Sequence, residues 1–486
     1  MFGKKFDNSD HQWREFRSSL PLAILFYFAF LVTSNAVRKL GKQQNWSLQD
    51  QIVGKMLISI VGLFLFHGLN AFKILAILYG FYCIGKVFRG SRLNPTLTWI
   101  CSLSILFVIE FLKLTDHHPT LRWLNNLLYA FPGFIPRWHV IFNITTLRII
   151  SFNMDYYYFL TCKPGFSPIE HDTQCKECST TTLCERSRVQ GALLEPEIYT
   201  FSSFLAYALY LPLFVAGPII TFNNFVSQVA RPVPTKTKET AIYAMRLFIN
   251  FLLIEALLHL FHVQAIRYAG AWTGFSGTQF MILVQLNLTI LWLKLLIIWR
   301  FFRLIAILDG ILTTENMERC PSNMHSGLAF WRAWHRSFNK WIVRYVYIPL
   351  GGTACAYLNI WPIFMFVAIW HDIRLHLLVW SWLICLFIFP ELLFRWLDKR
   401  YRWDMCLPYY RHWIAAGAGA NIFFMGIANL CGFILGIDGT IAWLKAVFSP
   451  GSFDFIICLS ACFFAVGHIQ LEIRRTEKAL GINKNY

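Results

Sequence analysis

Long apolar runs alternate with short polar and basic segments along most of the chain. A helix needs ~20 residues to cross a bilayer, and the runs have about that length. They cover 20–37, 56–85 (with a break near 67–70), 97–114, 123–152 (with interruptions), 199–225, 241–263, 280–298, 358–370, 375–394, 413–437 and 453–469. This pattern predicts about 10 to 12 transmembrane helices, some of them tilted, broken or re-entrant.

The pattern predicts an all-α polytopic transmembrane helical bundle with one membrane domain at 20–470. A polar N-terminal segment (1–19) and a polar C-terminal tail (471–486) flank it. The polar insert at 161–196 contains cysteines and is too short to build a core of its own. The first apolar run ends in basic residues, not in a small-residue cleavage site, so we expect a retained first helix.

Composition supports a membrane protein. Of the 486 residues, 56% are hydrophobic and 14% are charged, whereas a soluble domain has about 25% charged residues. The net charge of +18 comes from short clusters between the apolar runs, such as Arg38, Lys39 and Lys42. Such clusters anchor helices at lipid head groups, and they do not form one basic face along a phosphate backbone. Membrane lipids are therefore the expected partners, and nucleic acid is not.

Several apolar runs contain ionisable residues, which hydrocarbon does not accept unaided. They include Glu110, Arg246, Glu255, Lys294 and Glu391. Each of these groups either pairs or snorkels within the protein, or contacts a substrate. Together they predict an internal polar tunnel, which suits an enzyme or a transporter.

The segment SGLAFWRAWHRSFNKWIVRYVYIPLGG at 326–352 is the main candidate for chemistry. A continuous helix over 330–345 would be amphipathic, with an aromatic face that includes His335, and would lie along a membrane interface. The aromatic and apolar face would contain Trp331, His335, Phe338, Ile342 and Tyr345. The opposite, basic face would contain Arg332, Arg336, Lys340 and Arg344.

A second histidine, His371, follows in an apolar passage. Either histidine alone is typical of a core residue with one satisfied hydrogen bond. Two of them, one on an aromatic helix face and one at membrane depth, indicate a site for general-base chemistry, because a neutral imidazole can take a proton from a hydroxyl group. Asp372 would point about 100° away from His371 on a helix, so it is not an obvious partner for that histidine.

The stretch FWRAWHRSFNKWIVRYVYIPLGG, followed 19 residues later by a histidine in a hydrophobic run, resembles the signature of the membrane-bound O-acyltransferase family. Two further segments are similar to the same family, LRIISFNMDYYY at 147–158 and YLPLFVAGPIITFNNF at 210–225. Within the family, the chain looks most like the fungal and protist glycerol-uptake-type proteins, which remodel glycosylphosphatidylinositol (GPI) anchors. Hedgehog acyltransferases are related, but they carry an acidic residue where this chain has His335.

The resemblance implies roles for the candidate residues. His371 would be the catalytic base for an acceptor hydroxyl, and His335 would orient or polarise the acyl donor or share the base role. The donor would be acyl-CoA, and no cofactor or metal would be needed because a thioester is already activated. The basic residues would meet CoA phosphates or anionic head groups. Trp334 and Asp372 are further candidates for substrate contact.

Four cysteines lie in the polar insert, with His171 among them. They are Cys162, Cys175, Cys178 and Cys184. Cys175 and Cys178 have the C-x2-C spacing of a zinc knuckle. The other cysteines do not form a second pair with that spacing. The open alternatives are a zinc site, two disulfides, or free and S-acylated thiols.

The sequence therefore favours an acyl-CoA-dependent O-acyltransferase of the endoplasmic reticulum membrane with a lipid or GPI-anchor acceptor. A protein-palmitoylating enzyme of the hedgehog type is an alternative with similar chemistry. A polyol (glycerol) transporter is the alternative from another class, although such transporters often have paired repeats that this sequence lacks.

Overall fold

The computed structural model describes residues 5–114, 131, 133–135, 138–161, 171, 175, 178, 183–191, 194–403, 409–449 and 451–482. Within these residues the regular structure is helical, and extended pairing is limited to one isolated antiparallel bridge between Met317 and Trp334. The predicted all-α polytopic bundle is confirmed. The predictions for Cys162 and for most of 123–137 lie outside the described residues.

Nine helices lie in the described part of the N-terminal half of the chain. They are α1 (His11–Gln43), α2 (Leu48–His67), α3 (Ala71–Phe88), α4 (Leu93–Leu114), α5 (Trp138–Thr161), α6 (Glu185–Gln190), α7 (Phe201–Ala208), α8 (Leu211–Phe214) and α9 (Phe222–Ala230).

The remaining helices follow from residue 237 onward. They are α10 (Thr237–Leu260), α11 (Val263–Ala269), α12 (Gly277–Leu308), α13 (Gly327–Ala333), α14 (Arg336–Ile342), α15 (Ala356–His371), α16 (Leu375–Tyr401), α17 (Tyr410–Asn429), α18 (Gly436–Val447) and α19 (Phe453–Ala479).

Nine helical segments of the described chain are long and apolar enough to cross a membrane. The predicted break near 67–70 is present as a 3-10 turn at Gly68–Asn70 between α2 and α3. Helix α1 begins at His11, so part of the segment predicted as a polar N-terminal extension is helical. The apolar run at 199–225 differs from a spanning helix, because α7, α8 and the start of α9 are short and buried.

The chain forms two compact units, each made of separate stretches of sequence. The first comprises Met1–Ser18, Phe248–Ile297 and Asn316–Tyr486, and the second comprises Ser19–Leu247 and Ile298–Glu315. The single membrane domain over 20–470 stays a prediction.

Helix α5 lies at the core of the second unit and is buried along most of its length. Its Arg148 is buried, and the guanidinium group donates hydrogen bonds to the carbonyl oxygens of Ala208 (2.8 Å) and Leu213 (2.5 Å). These carbonyls lie at the C-terminal ends of α7 and α8, where the helix dipole favours a positive charge. The short helices therefore satisfy a charge that a buried helix could not otherwise carry.

A charged cluster around Asp309 also stabilises the second unit. Asp309 is 1% exposed and forms ion pairs with Lys55 (2.8 Å) and Arg38 (3.0 Å). The hydroxyl groups of Ser34 and Tyr210 each donate to its carboxylate at 2.5 Å. A buried carboxylate is tolerated because every side of it meets a donor or a cation.

In the first unit, two of the ionisable residues predicted within the spans form ion pairs. Lys294 pairs with Asp10 at 2.8 Å, and Glu255 pairs with Arg17 at 3.2 Å. The expectation that Lys294 and Glu255 pair within the protein is confirmed. Helices α17 and α19 of this unit approach closely, since a Cβ atom at Gly467 would lie 2.3 Å from the carbonyl oxygen of Ala415, as is common for small residues between membrane helices.

Candidate active site

The backbone changes direction at His335. Helix α13 ends at Ala333, Trp334 is extended, and His335 has φ 45° and ψ 48° in the left-handed region. Helix α14 then begins at Arg336 and continues into a π-helical turn over Val343–Tyr347. The prediction of one continuous helix over 330–345 is therefore wrong.

Hydrogen bonds from a preceding extended segment explain this break. Trp334 forms the bridge with Met317. The backbone N–H of Arg336 donates to the carbonyl oxygen of Asn316 (3.1 Å), and that of Ser337 donates to the Asn316 side-chain oxygen (3.2 Å). These bonds replace helical ones around a conformation that costs a non-glycine residue roughly 1–2 kcal/mol. His335 is thus presented at a corner of the chain, not along a helix face.

Glu391 of α16 fixes the beginning of α13. Its carboxylate accepts hydrogen bonds from the Ser326 hydroxyl (2.5 Å) and the Gly327 N–H (2.8 Å), and it pairs with Arg395 at 2.8 Å. An anion at a helix N-terminus is stabilising because the first N–H groups there have no intrahelical partner. Glu391, predicted as an ionisable residue within a span, therefore positions the helix that precedes His335.

His371 is the last residue of α15 and lies among aromatic rings. The ring centroids of Trp370, Phe433 and Trp380 are 4.8, 5.8 and 6.3 Å from the imidazole centroid. As a residue His371 is exposed, whereas Trp370 and Trp380 are buried. Its imidazole therefore lies among aromatic rings at the end of α15.

The structure brings the two histidines together around Trp370. The Trp370 ring lies 6.2 Å from His335 and 4.8 Å from His371, measured between ring centroids. Burial lowers the pKa of His335 to about 3, and electrostatic interaction with His371 lowers it as well. His335 is therefore neutral at physiological pH. That both imidazoles line one substrate passage stays a prediction.

The break at His335 also divides the predicted basic face. Arg332 is exposed on α13, while the other three basic residues follow the break. The Arg336 guanidinium forms an ion pair with Glu318, and the Arg344 guanidinium lies 5.5 Å from the Tyr345 ring centroid. The prediction that Arg332, Arg336, Lys340 and Arg344, at i, i+4, i+8 and i+12, share one basic surface is therefore wrong, because it requires an unbroken helix.

The two weaker candidates have identifiable contacts. Trp334 stacks on Phe330 with ring centroids 5.5 Å apart. Asp372 pairs with Arg374 at 2.8 Å and accepts a hydrogen bond from the Ile373 N–H. The carboxylate therefore has a salt-bridge partner of its own, and the expectation that it forms no obvious dyad with His371 stays a prediction.

A separate cluster could hold a metal ion. One ligand atom from each of His171, Cys175, Cys178 and Cys184 lies within 4.8 Å of the others. The sequence had singled out Cys175, Cys178 and Cys184, with Cys162 as the fourth cysteine of the group. The structure supplies His171 alongside the three described cysteines.

Sequence reasoning did not identify three residues that shape the histidine site. Asn316 precedes the site by 19 residues in a polar loop, and no periodic pattern connects it with His335. Trp370 looked like any aromatic residue of an apolar run, and Glu391 was recognised only as a charge within a span. Their roles depend on contacts between distant parts of the sequence.

Comparison with known proteins gives a consistent result. The model of the membrane-bound O-acyltransferase family matches residues 96–435. The chain is 39% identical over 490 residues to membrane-bound O-acyltransferase gup1 of Schizosaccharomyces pombe, covering 99% of this chain and 82% of that protein. It is 41% identical over 487 residues to membrane-bound O-acyltransferase GUP1 of Saccharomyces cerevisiae, covering 99% and 85%. A shorter likeness, 29% identity over 193 residues and 38% of each chain, relates it to the protein-cysteine N-palmitoyltransferase HHAT of Mus musculus.

Proposed function

Since the chain belongs to the membrane-bound O-acyltransferase family and is a multi-pass membrane acyltransferase, we propose a specific reaction for it. In this reaction, a long-chain acyl group is transferred from acyl-CoA to a lipid hydroxyl group. The observation that carries this proposal is the placement of His335 and His371 around Trp370. One imidazole comes from the corner between α13 and α14 and the other from the end of α15, and both lie in an aromatic environment suited to an acyl chain.

In the proposed reaction, His371 is the general base. Its imidazole takes the proton of the acceptor hydroxyl as the oxygen attacks the thioester carbonyl carbon. A carbon–oxygen bond forms and the carbon–sulfur bond breaks, so that the proton leaves with the CoA thiolate as the free thiol. An exposed residue at the end of α15 suits this role, because the acceptor must reach it.

His335 has a different role in this proposal. A neutral imidazole can donate one hydrogen bond to the thioester oxygen, where negative charge develops during attack. The left-handed backbone at His335 is held by Asn316 and Met317, so the backbone that carries the donor is in place before the substrate binds. Such preorganisation favours the transition state over the ground state.

We further propose the lipid of a GPI anchor as the acceptor and the endoplasmic reticulum membrane as the location. The likeness to the two yeast proteins covers 99% of the chain, whereas the likeness to the mouse palmitoyltransferase covers 38%. This difference supports O-acyl transfer to a hydroxyl group over N-acyl transfer to a protein.

The test uses purified protein in detergent with labelled palmitoyl-CoA and a lyso-form GPI lipid. The proposal predicts labelled diacyl product and an equal amount of free CoA thiol. Transfer to a cysteine-terminal peptide instead of the lipid would favour the palmitoylating alternative. Uptake of labelled glycerol into proteoliposomes without any consumption of acyl-CoA would favour a transporter. Lipid analysis of a null strain, with accumulation of lyso-anchors, would identify the acceptor in cells.

A further inference from the structure

We propose that His171, Cys175, Cys178 and Cys184 form a structural zinc site in the polar insert. Their ligand atoms all lie within 4.8 Å of one another. Around a tetrahedral zinc ion with Zn–S bonds of ~2.3 Å, ligand atoms are separated by about 3.5–3.8 Å. A small contraction of the cluster therefore gives the geometry that the ion requires.

The hydrogen bonds around the sulfur atoms suit thiolates. The backbone N–H of Cys184 donates to Cys178 Sγ (3.3 Å), and the backbone N–H of Ser187 donates to Cys184 Sγ (3.4 Å). His171 Nε2 lies 3.2 Å from Cys184 Sγ. Donors aimed at the ligating sulfur atoms stabilise negative charge and orient the ligands. Three sulfur atoms and one imidazole are the ligand set of a tetrahedral zinc site.

An imidazole within the cluster distinguishes this site from a pair of disulfides. Cys175 and Cys178 supply the C-x2-C half of a zinc knuckle, and the Cys178 N–H donates a hydrogen bond to the Cys175 carbonyl oxygen (3.3 Å). A disulfide would use two sulfur atoms and would have no need for His171. All four coordination positions are filled by protein, which is typical of a structural and not a catalytic zinc site.

The site would attach the insert to the membrane core of the second unit. Cys184 is the residue that precedes α6, and its sulfur caps the helix through the Ser187 N–H. Helix α6 in turn contacts α9, since Arg188 Nε donates to Asn224 Oδ1 (3.0 Å) and Asn223 Nδ2 donates to the carbonyl oxygen of Val189 (3.3 Å). Zinc would therefore fix one end of a short helix whose other contacts reach the segment at 210–225.

The test is metal analysis of the full-length protein purified in detergent. We expect a zinc-to-protein ratio of about 1, and a zinc K-edge absorption spectrum that fits three sulfur ligands and one nitrogen ligand. Protein grown with cobalt should show the charge-transfer bands of cobalt thiolates. Cys178→Ser and Cys184→Ser should lose the stoichiometric zinc, whereas His171→Cys, which offers a fourth thiolate, should keep it.

Cys458→Ser is the matched control, because Cys458 is an exposed cysteine on α19 far along the sequence; this variant should keep its zinc. Zinc well below stoichiometry and equal in the wild type and in Cys178→Ser would mean an adventitious ion only and would overturn the proposal. So would mass spectrometry without reductant that finds the insert cysteines joined as disulfides. Neither result would affect the acyltransferase proposal, whose assay does not use the metal.

Discussion

At the scale of single residues, the left-handed backbone at His335 is the feature on which the proposed chemistry depends most. A positive φ is uncommon for residues other than glycine and persists where the surroundings hold it in place. Here Asn316 and Met317 supply those surroundings. Strain of this kind, next to a second histidine, is what an active site that positions its groups in advance would contain.

The ionisation of His335 gives a prediction at this scale. Burial lowers the pKa of His335 to about 3, so this imidazole is neutral at any pH above about 4. Replacing it with asparagine keeps a neutral hydrogen-bond donor. We therefore expect His335→Asn to lower kcat by about 10–100-fold without moving the acidic midpoint of the pH profile of kcat/KM. Measurement of that profile for both proteins is the check, and loss of the acidic limb in the variant would assign the titrating base to His335 instead.

At the scale of helices, the apolar pattern predicted the spans well but the segment of the candidate active site poorly. Runs of about 20 apolar residues correspond to α1, α10, α12, α16 and α19, because burial in lipid depends on composition alone. The polar interruption at 67–70 likewise marked a real break. The break at Trp334 and His335 has no such mark, since aromatic and basic residues there fit a helical period. It is imposed by hydrogen bonds to Asn316 and Met317, which a local pattern does not contain.

The two helices on either side of His335 allow a test of donor binding. Arg332 lies on α13 and Lys340 on α14. Arg332 precedes His335, the proposed donor-binding histidine, by three residues, and Lys340 follows it by five. If they meet the CoA phosphates, Arg332→Glu combined with Lys340→Glu should raise KM for acyl-CoA by roughly 10–100-fold and leave KM for the acceptor unchanged.

The control for that double variant is its charge-neutral counterpart, Arg332→Gln with Lys340→Gln, which should have a smaller effect in the same direction. These substitutions leave the ion pair of Arg336 with Glu318 in place, so the turn at His335 is not disturbed. An equal rise of both KM values, or protein lost from the membrane fraction, would indicate anchoring at lipid head groups.

At the scale of the whole molecule, composition and hydropathy were sufficient to predict the class of fold. Residues such as Lys294 and Glu255 could be predicted to pair, because an isolated charge within a span is too costly. Their partners, Asp10 and Arg17, could not be predicted, since they lie more than 200 residues away in the sequence. The division into two compact units depends on the same long-range contacts and left no signal in the sequence.

The Asp309 cluster should contribute strongly to the stability of the second unit. Removing one partner of a buried ion pair costs ~3–5 kcal/mol, so Asp309→Asn should lower the thermal unfolding midpoint clearly in detergent, as measured by size-exclusion chromatography after heating. Glu195→Gln, at an exposed position of the same unit, is the control and should have little effect.

The pH dependence of the stability difference between the wild type and Asp309→Asn follows from the ionisation of Asp309. Burial raises the pKa of Asp309. The charge and hydrogen bond of Lys55, together with the hydrogen bonds of the Ser34 and Tyr210 hydroxyl groups, lower the pKa by more than burial raises it. The net result is a pKa below the ordinary value of 3.8. A lowered folded-state pKa means that the stabilisation is fully present above the ordinary value and is lost as the pH falls through the folded-state pKa. The gap between wild type and Asp309→Asn should therefore be constant from pH 8 to about pH 5. A gap that closes already near neutral pH would contradict the ion pairing.

The most direct test of the central claim is the rate of acyl transfer by purified His371→Ala. Loss of a general base lowers the rate by ~10²–10⁴-fold, and the variant should remain folded because His371 is an exposed residue at the very end of α15. His376→Ala is the matched control, since His376 lies in the first turn of the next helix, α16, and should retain nearly full activity. We predict that His371→Ala elutes from size-exclusion chromatography like the wild type and releases almost no CoA thiol. A well-folded His371→Ala that keeps most of the wild-type turnover would contradict the account.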